Sequence, residues 1–107
     1  MELRIRSSGA SQIISLAGEL SLYNVPEVST ALDEMLDEPG LQLVLDMTEL
    51  KFIDSSGLAA IVQWSQRVLH GDGAFALLGV SAKLRKVFEL VQLHDRIEFL
   101  ESEAELP

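Results

Sequence analysis

Asp54, Ser55 and Ser56 stand directly before Gly57 in "ELKFIDSSGLAAIVQW", between an apolar run and a helical pattern. A carboxylate beside two hydroxyls admits several kinds of chemistry. The plainest is helix capping, because Asp and Ser oxygens accept the amide hydrogens that the first turn of a helix leaves unpaired. One cap accounts for one residue of the three. A serine nucleophile needs a base within hydrogen-bond reach, itself oriented by a third group. The chain has two histidines. His70 lies 15 residues after Ser55 on the same expected helix, about 22 Å away at about 1.5 Å per residue. His94 would approach only through tertiary folding. The G-x-S-x-G elbow is missing, with Ile53 where its first glycine would stand. Asp46, Asp54 and the hydroxyls offer oxygens to a metal, but neither EF-hand spacing nor a His pair accompanies them. Nucleotide binding lacks a Walker loop or G-x-G-x-x-G, and Gly71, Gly73 and Gly79 follow a helical pattern instead of opening one.

A further chemistry is phosphate acceptance, which stands open beside helix capping alone. A serine at the mouth of a helix sits where the field favours negative charge and backbone amides are free. Phosphate there adds about 1.5 to 2 negative charges and bulk. The fold would tolerate it while the surface changed, as a protein-binding switch requires. Asp54 would orient the hydroxyl, or repel the phosphate from an anionic partner.

The elements that must position this group follow from periodicity. "LRIR" alternates as a half-wet strand, "SSGAS" turns, and "QIISLAG" returns, so residues 3–17 are expected as a hairpin. From Val25 to Glu38 the spacing becomes helical, with Val25, Val28, Leu32, Met35 and Leu36 on one stripe. Asn24 and Glu27 form an expected capping pair around Pro26, and Pro39-Gly40 ends the helix. "LQLVLDM" reads as an interior strand. A second helix after Asp54 carries Leu58, Ile61, Val62, Ser65, Val68 and Leu69 inward and closes at Gly71 and Gly73. "AFALLGV" is a buried strand, Ser81 opens a third helix with Leu84, Val87, Phe88 and Val91 inward, and "RIEFL" is a short last strand. Strands alternating with single helices after a hairpin predict an α/β domain with a mixed sheet.

At 107 residues one domain is expected, with about two thirds of the unfolded surface buried. The absence of cysteine excludes disulfides and thiol nucleophiles. The start "MELRIRSSGA" has no apolar leader core, and the longest apolar run, Gly73 to Val80, has eight residues, against about 20 for a membrane span. A soluble, cytoplasmic protein without membrane insertion is expected. Seventeen acids against eight Lys and Arg give a net charge of −9, a field that repels nucleic acid. Lys83, Arg85 and Lys86 read either as a solvated face or as a docking patch. Asp33, Glu34, Asp37 and Glu38 crowd the end of the first helix, where the macrodipole disfavours anions. They read as a solvated surface or a partner-binding acidic face. "ESEAELP" is expected as a frayed, charged end.

"FIDSSGLAAIV" closely resembles the signature of the STAS-domain anti-sigma-factor antagonists, which include sporulation and general-stress regulators of bacteria. "ISLAGELSLYNVPEV" is similar to that family's second strand, Gly-Glu-Leu turn and first helix. "LVLDMTELKFIDSSGL" and "GAFALLGVSAKLRKVFELVQLHDRIEF" are similar to its central and later elements. The resemblance covers about residues 3–100, and leaves 101–107 as a tail of a single domain spanning 1–107. It implies a STAS fold, with a mixed sheet of four to five strands, an initial hairpin, and helices packed mainly on one face.

The resemblance further implies a protein with no catalytic residue, cofactor or metal of its own. In the unphosphorylated state such a protein binds an anti-sigma factor that is usually a serine kinase, and so frees a sigma factor for transcription. The kinase supplies ATP and Mg and phosphorylates the first hydroxyl after the aspartate, here Ser55. A serine phosphatase reverses the mark. Ser56 would cap or support the helix, Gly57 would leave room for close approach, Asp54 matches the acid beside the acceptor, and Gly18 and Glu19 match the flanking turn. Ser21 stands where many members carry an aspartate. Some STAS domains instead serve as constitutive adaptors in lipid-transport or stress-sensing complexes, where phosphate is irrelevant.

Overall fold

The computed structural model describes residues 2–90 and 97–106. The chain runs β1 (Glu2–Ser8), β2 (Ser11–Leu20), α1 (Val25–Leu36), β3 (Gln42–Asp46), β4 (Leu50–Ile53), α2 (Ser55–His70), β5 (Ala74–Leu78), α3 (Ala82–Leu90), β6 (Glu98–Leu100) and a 3-10 turn at Glu103–Glu105. β1 pairs antiparallel with β2, and every other pairing is parallel, in the order β1-β2-β3-β5-β6 with β4 also on β2. The mixed α/β architecture is therefore as expected, with six strands instead of four to five.

The extra strand is β4, and it builds the site. Residues Ser11–Ser15 of β2 pair with β3, whereas Gly18–Leu20 continue upward to pair with Leu50–Ile53. Gly18 to Leu20, expected as a turn, is thus the last part of a ten-residue strand. A register shift falls between Gly18 and Glu19, where Gly18 takes a φ of +92° that a side chain would resist.

Pleat alternation sorts the side chains. Ile14, Leu16, Leu43, Leu45, Phe75 and Leu77 face all three helices in one core. α1 contributes Val28, Leu32 and Leu36, with Val25 and Met35 partly buried beside them. α2 contributes Ala60, Ile61, Trp64, Ser65 and Val68, and α3 contributes Leu84 and Phe88. Each fully buried large aliphatic is worth about 1.5–3 kcal/mol of transfer free energy. Trp64, off the expected stripe, is 3% exposed and fills the centre of α2's inner face. The expectations for Val91 and His94 lie outside the described residues.

Ile13, Val44, Ala76, Leu78 and Leu100 form a smaller cluster on the other sheet face, with Leu106 packed against it. The C-terminal segment is therefore not frayed. Arg6 pairs with Glu103, and the Glu101 amide donates to Glu105 Oε2 at 2.7 Å, so two of the charges expected in a frayed end make defined bonds. The acidic end of α1 is likewise partnered: Arg67 of α2 reaches Asp33 at 2.9 Å and Asp37 at 2.6 Å. Among the described residues no helix is long and apolar enough to cross a membrane.

Candidate functional site

The junction of β4 and α2 is fixed by one carboxylate. Asp54 has extended backbone (φ −104°, ψ −176°) and is the N-cap of α2, its Oδ1 accepting the Gly57 amide at 2.9 Å. Its Oδ2 accepts the Leu22 amide at 3.0 Å. Asp54 therefore caps the helix and ties the β2–α1 loop to the same point. These amides, Leu22 foremost, hold the carboxyl below its ordinary pKa because they favour the charged form. Of the two roles expected of Ser56, capping or supporting the helix, the cap is made by Asp54, and Ser56 is a half-buried residue of the first turn.

Ser55 is the first residue of α2 and is exposed. It stands at the positive end of a 16-residue helix, where backbone dipoles stabilise an anion. His70 ends the same helix, too distant to act as its base. Asp46 lies at the end of β3, its Oδ1 accepting the Thr48 amide at 3.0 Å and hydroxyl at 2.6 Å. No described group of three or more His, Cys, Asp or Glu could hold a metal ion.

Gly57 is a requirement of packing. A Cβ built there would lie 2.4 Å from the Leu20 carbonyl oxygen and 2.7 Å from Ile53 Cγ1. The glycine lets the first turn of α2 press against the end of β2, which also receives the Asp54 amide on Leu20 O at 3.3 Å.

The β2–α1 loop is built around Ser21 and Asn24. Ser21 is 3% exposed. Its hydroxyl donates to Glu19 Oε1 at 3.2 Å and accepts the Tyr23 amide at 3.3 Å. A carboxylate could accept from Tyr23 but could not donate to Glu19. In this chain Ser21 shapes the loop from inside. Asn24 precedes α1 as expected, but its side chain makes no capping bond to that helix. Its Oδ1 accepts the Ser21 amide at 2.8 Å and its Nδ2 donates to the Glu19 carbonyl. The amide that periodicity assigned to the helix serves the loop.

Gly18 and Glu19 are exposed beside this loop, so Asp54, Ser55, Gly57, Glu19 and Ser21 are brought together by β2–β4 pairing and the Asp54–Leu22 bond. Sequence reasoning missed the apolar flanks. Leu22 and Tyr23 on the loop and Phe52 on β4 are 64%, 89% and 50% exposed. A Leu-Tyr pair placed after a strand and before a helix start was the available signal.

The family model described as the STAS domain matches residues 3–106. The chain is 33% identical over 93 residues to the anti-sigma-B factor antagonist of Listeria monocytogenes, covering 87% of this chain and 82% of that protein. It superposes with a TM-score of 0.87 on a STAS domain protein from Planctomyces limnophilus, at 18% identity, covering 96% of this chain and 92% of that one. On the phosphorylated form of the Bacillus cell fate determinant SpoIIAA the TM-score is 0.75, at 22% identity and coverage of 97% and 95%. With its sequence matched almost end to end and its sheet and helices in the same arrangement, the chain belongs to the STAS domain family.

Proposed function

We propose that this protein is an anti-sigma factor antagonist whose docking is switched by phosphorylation of Ser55. Unphosphorylated, it binds an anti-sigma factor that is also a serine kinase, and the sigma factor held by that kinase is released. The kinase supplies ATP and Mg and transfers the γ-phosphoryl group to Ser55 Oγ, the hydroxyl proton leaving to a base on the kinase. A serine phosphatase restores the free hydroxyl. The domain performs no chemistry of its own.

The observation that carries this reading is an exposed serine at the first position of α2, beside a carboxylate already engaged by Leu22 and Gly57. An added phosphate meets a favourable helix field and leaves the cap bonds in place, so binding changes while the fold stands. The curated relatives named anti-sigma-B factor antagonists support the same reading.

The test is incubation with a kinase from the source cell and Mg-ATP. One phosphate is expected on wild type and none on Ser55→Ala. Binding to the kinase persists in Ser55→Ala and weakens in the phosphorylated protein. Equal affinity of the free and phosphorylated forms would reject the switch.

A further inference from the structure

Five large apolar residues are exposed among the described residues, and three of them, Leu22, Tyr23 and Phe52, lie on the two segments that meet at Asp54. They converge although they come from two segments. The Leu22 amide is bonded to Asp54, Leu20 and Ile53 are paired neighbours, and Phe52 is matched across the sheet with Glu19. Beside them, Tyr23 shares a groove with Glu2, Glu19 and Glu27, which Ser55 does not line and which carries no cation. Lys51 is exposed next to Phe52, at the register shift where β4 sets an extra residue against β2, and is a single cation beside Glu19 and Glu27. The whole chain carries −9.

We infer that the partner docks an apolar patch onto Leu22, Tyr23 and Phe52 and rims it with Lys or Arg facing Glu19 and Glu27, and that phosphate on Ser55 acts by accelerating dissociation instead of slowing approach. The inference rests on the switch reading and specifies its partner and its mode of release. Exposed aromatic and aliphatic side chains grouped on one surface are the form that binding hot spots take, with a polar rim around them. Charge complementarity selects the rim: an acidic surface draws a cationic one.

The mode of release follows from the same charges. Phosphate makes an already negative surface more negative, which increases the long-range pull on a cationic partner. Field repulsion therefore cannot be what undoes the complex. Ser55 directly follows Asp54, whose carboxylate holds the Leu22 amide, so a hydrated dianion there must lose its water when the surfaces close. That cost is felt only in the docked state, so it appears in koff.

The test places the photo-crosslinker p-benzoylphenylalanine at Tyr23, Phe52 or, as a control, the exposed Ala31 of α1, in the source cell. The captured kinase is then purified for kinetics. Crosslinks are expected from positions 23 and 52, to a segment with apolar residues flanked by Lys or Arg, on a kinase that phosphorylates Ser55. Leu22→Ser with Phe52→Ser should raise koff at least tenfold. Glu19→Gln with Glu27→Gln should lower kon severalfold at low salt, and Ser55 phosphate should raise koff tenfold or more without lowering kon. A Ser55 kinase that crosslinks only from position 31, a crosslinked segment rich in acids, or a phosphate effect confined to kon would overturn the inference and leave the switch intact. Absence of any Ser55 kinase among the captured proteins would reject the switch itself, and this inference with it.

Discussion

The Asp54 carboxylate accepts the backbone amide of Leu22 across 32 residues of sequence, so a loop of the first βα connection and the mouth of α2 share one anchor. The second oxygen holds Gly57. Asp54→Ala removes both bonds at once. Amide exchange should accelerate at Leu22 and Gly57 together, while Trp64 at mid-helix stays protected. Hydrogen exchange read by NMR checks this, and unchanged protection at Leu22 would mean that the loop is held by other contacts.

The same carboxylate gives the domain an acid-labile component. Its pKa is lower folded than unfolded, because the Leu22 and Gly57 amides bind the anion. The folded state therefore takes up that proton less readily than the unfolded chain. The stabilisation is complete above the ordinary carboxylate range and is lost as pH falls through that range to the depressed folded value. Asp54→Asn keeps an acceptor without a titrating group, so its denaturant midpoint should fall less than that of wild type between neutral pH and pH 3. Parallel curves for the two proteins would remove Asp54 from the account.

Gly57→Ala tests the close approach of α2 to β2. The added Cβ meets a backbone oxygen of Leu20 at 2.4 Å, and backbone cannot rotate away as a side chain end can. Overpacking of this kind costs about 1–3 kcal/mol, against a helix propensity gain for Ala of about 1 kcal/mol. A net loss of stability is expected in urea unfolding. A variant as stable as wild type would show that the helix mouth can shift outward freely.

Much of this architecture was legible because its elements are periodic. The hairpin, the three helical stripes and the interior strands declare themselves by alternation or by three-to-four spacing. β4 did not, since Leu50 and Ile53 are buried while Lys51 and Phe52 between them are exposed, a pattern without period two. Asp54 was readable as a cap from its neighbours, but its bond to Leu22 was not, because tertiary folding creates it. Asn24 misled for a related reason: a residue suited to capping found stronger partners in its own loop. The charges at the C-terminus misled because Arg6, the partner of Glu103, lies 97 residues away.

The clamp between α1 and α2 gives a further prediction. Arg67 donates to Asp33 Oδ1, to the Asp33 carbonyl at 3.1 Å and to Asp37 Oδ1. It offsets both the crowding of acids and their unfavourable place at the end of α1. The pair is partly exposed, so Arg67→Ala should cost only about 0.5–1 kcal/mol at low salt, and the difference should shrink near 1 M salt as screening grows. A salt-independent loss would mean that the arginine acts through packing of its aliphatic stem.

The C-terminal segment yields the last prediction. Leu106 packs on the sheet face opposite the core shared with α1, α2 and α3, against the cluster containing Ile13, Val44 and Leu100, while Glu103 bonds Arg6 in β1. Leu106→Ser should destabilise by about 1 kcal/mol through lost apolar burial, and this loss should be the same at pH 7 and pH 4. Arg6→Ala acts differently. Arg6 holds the Glu103 pKa below its ordinary value, so this contribution is present at neutral pH and disappears as acid protonates Glu103. The deficit of Arg6→Ala should therefore narrow on acidification while that of Leu106→Ser persists. If both deficits vanished together in acid, the ion pair would be the sole anchor of the segment and the apolar contact incidental to it.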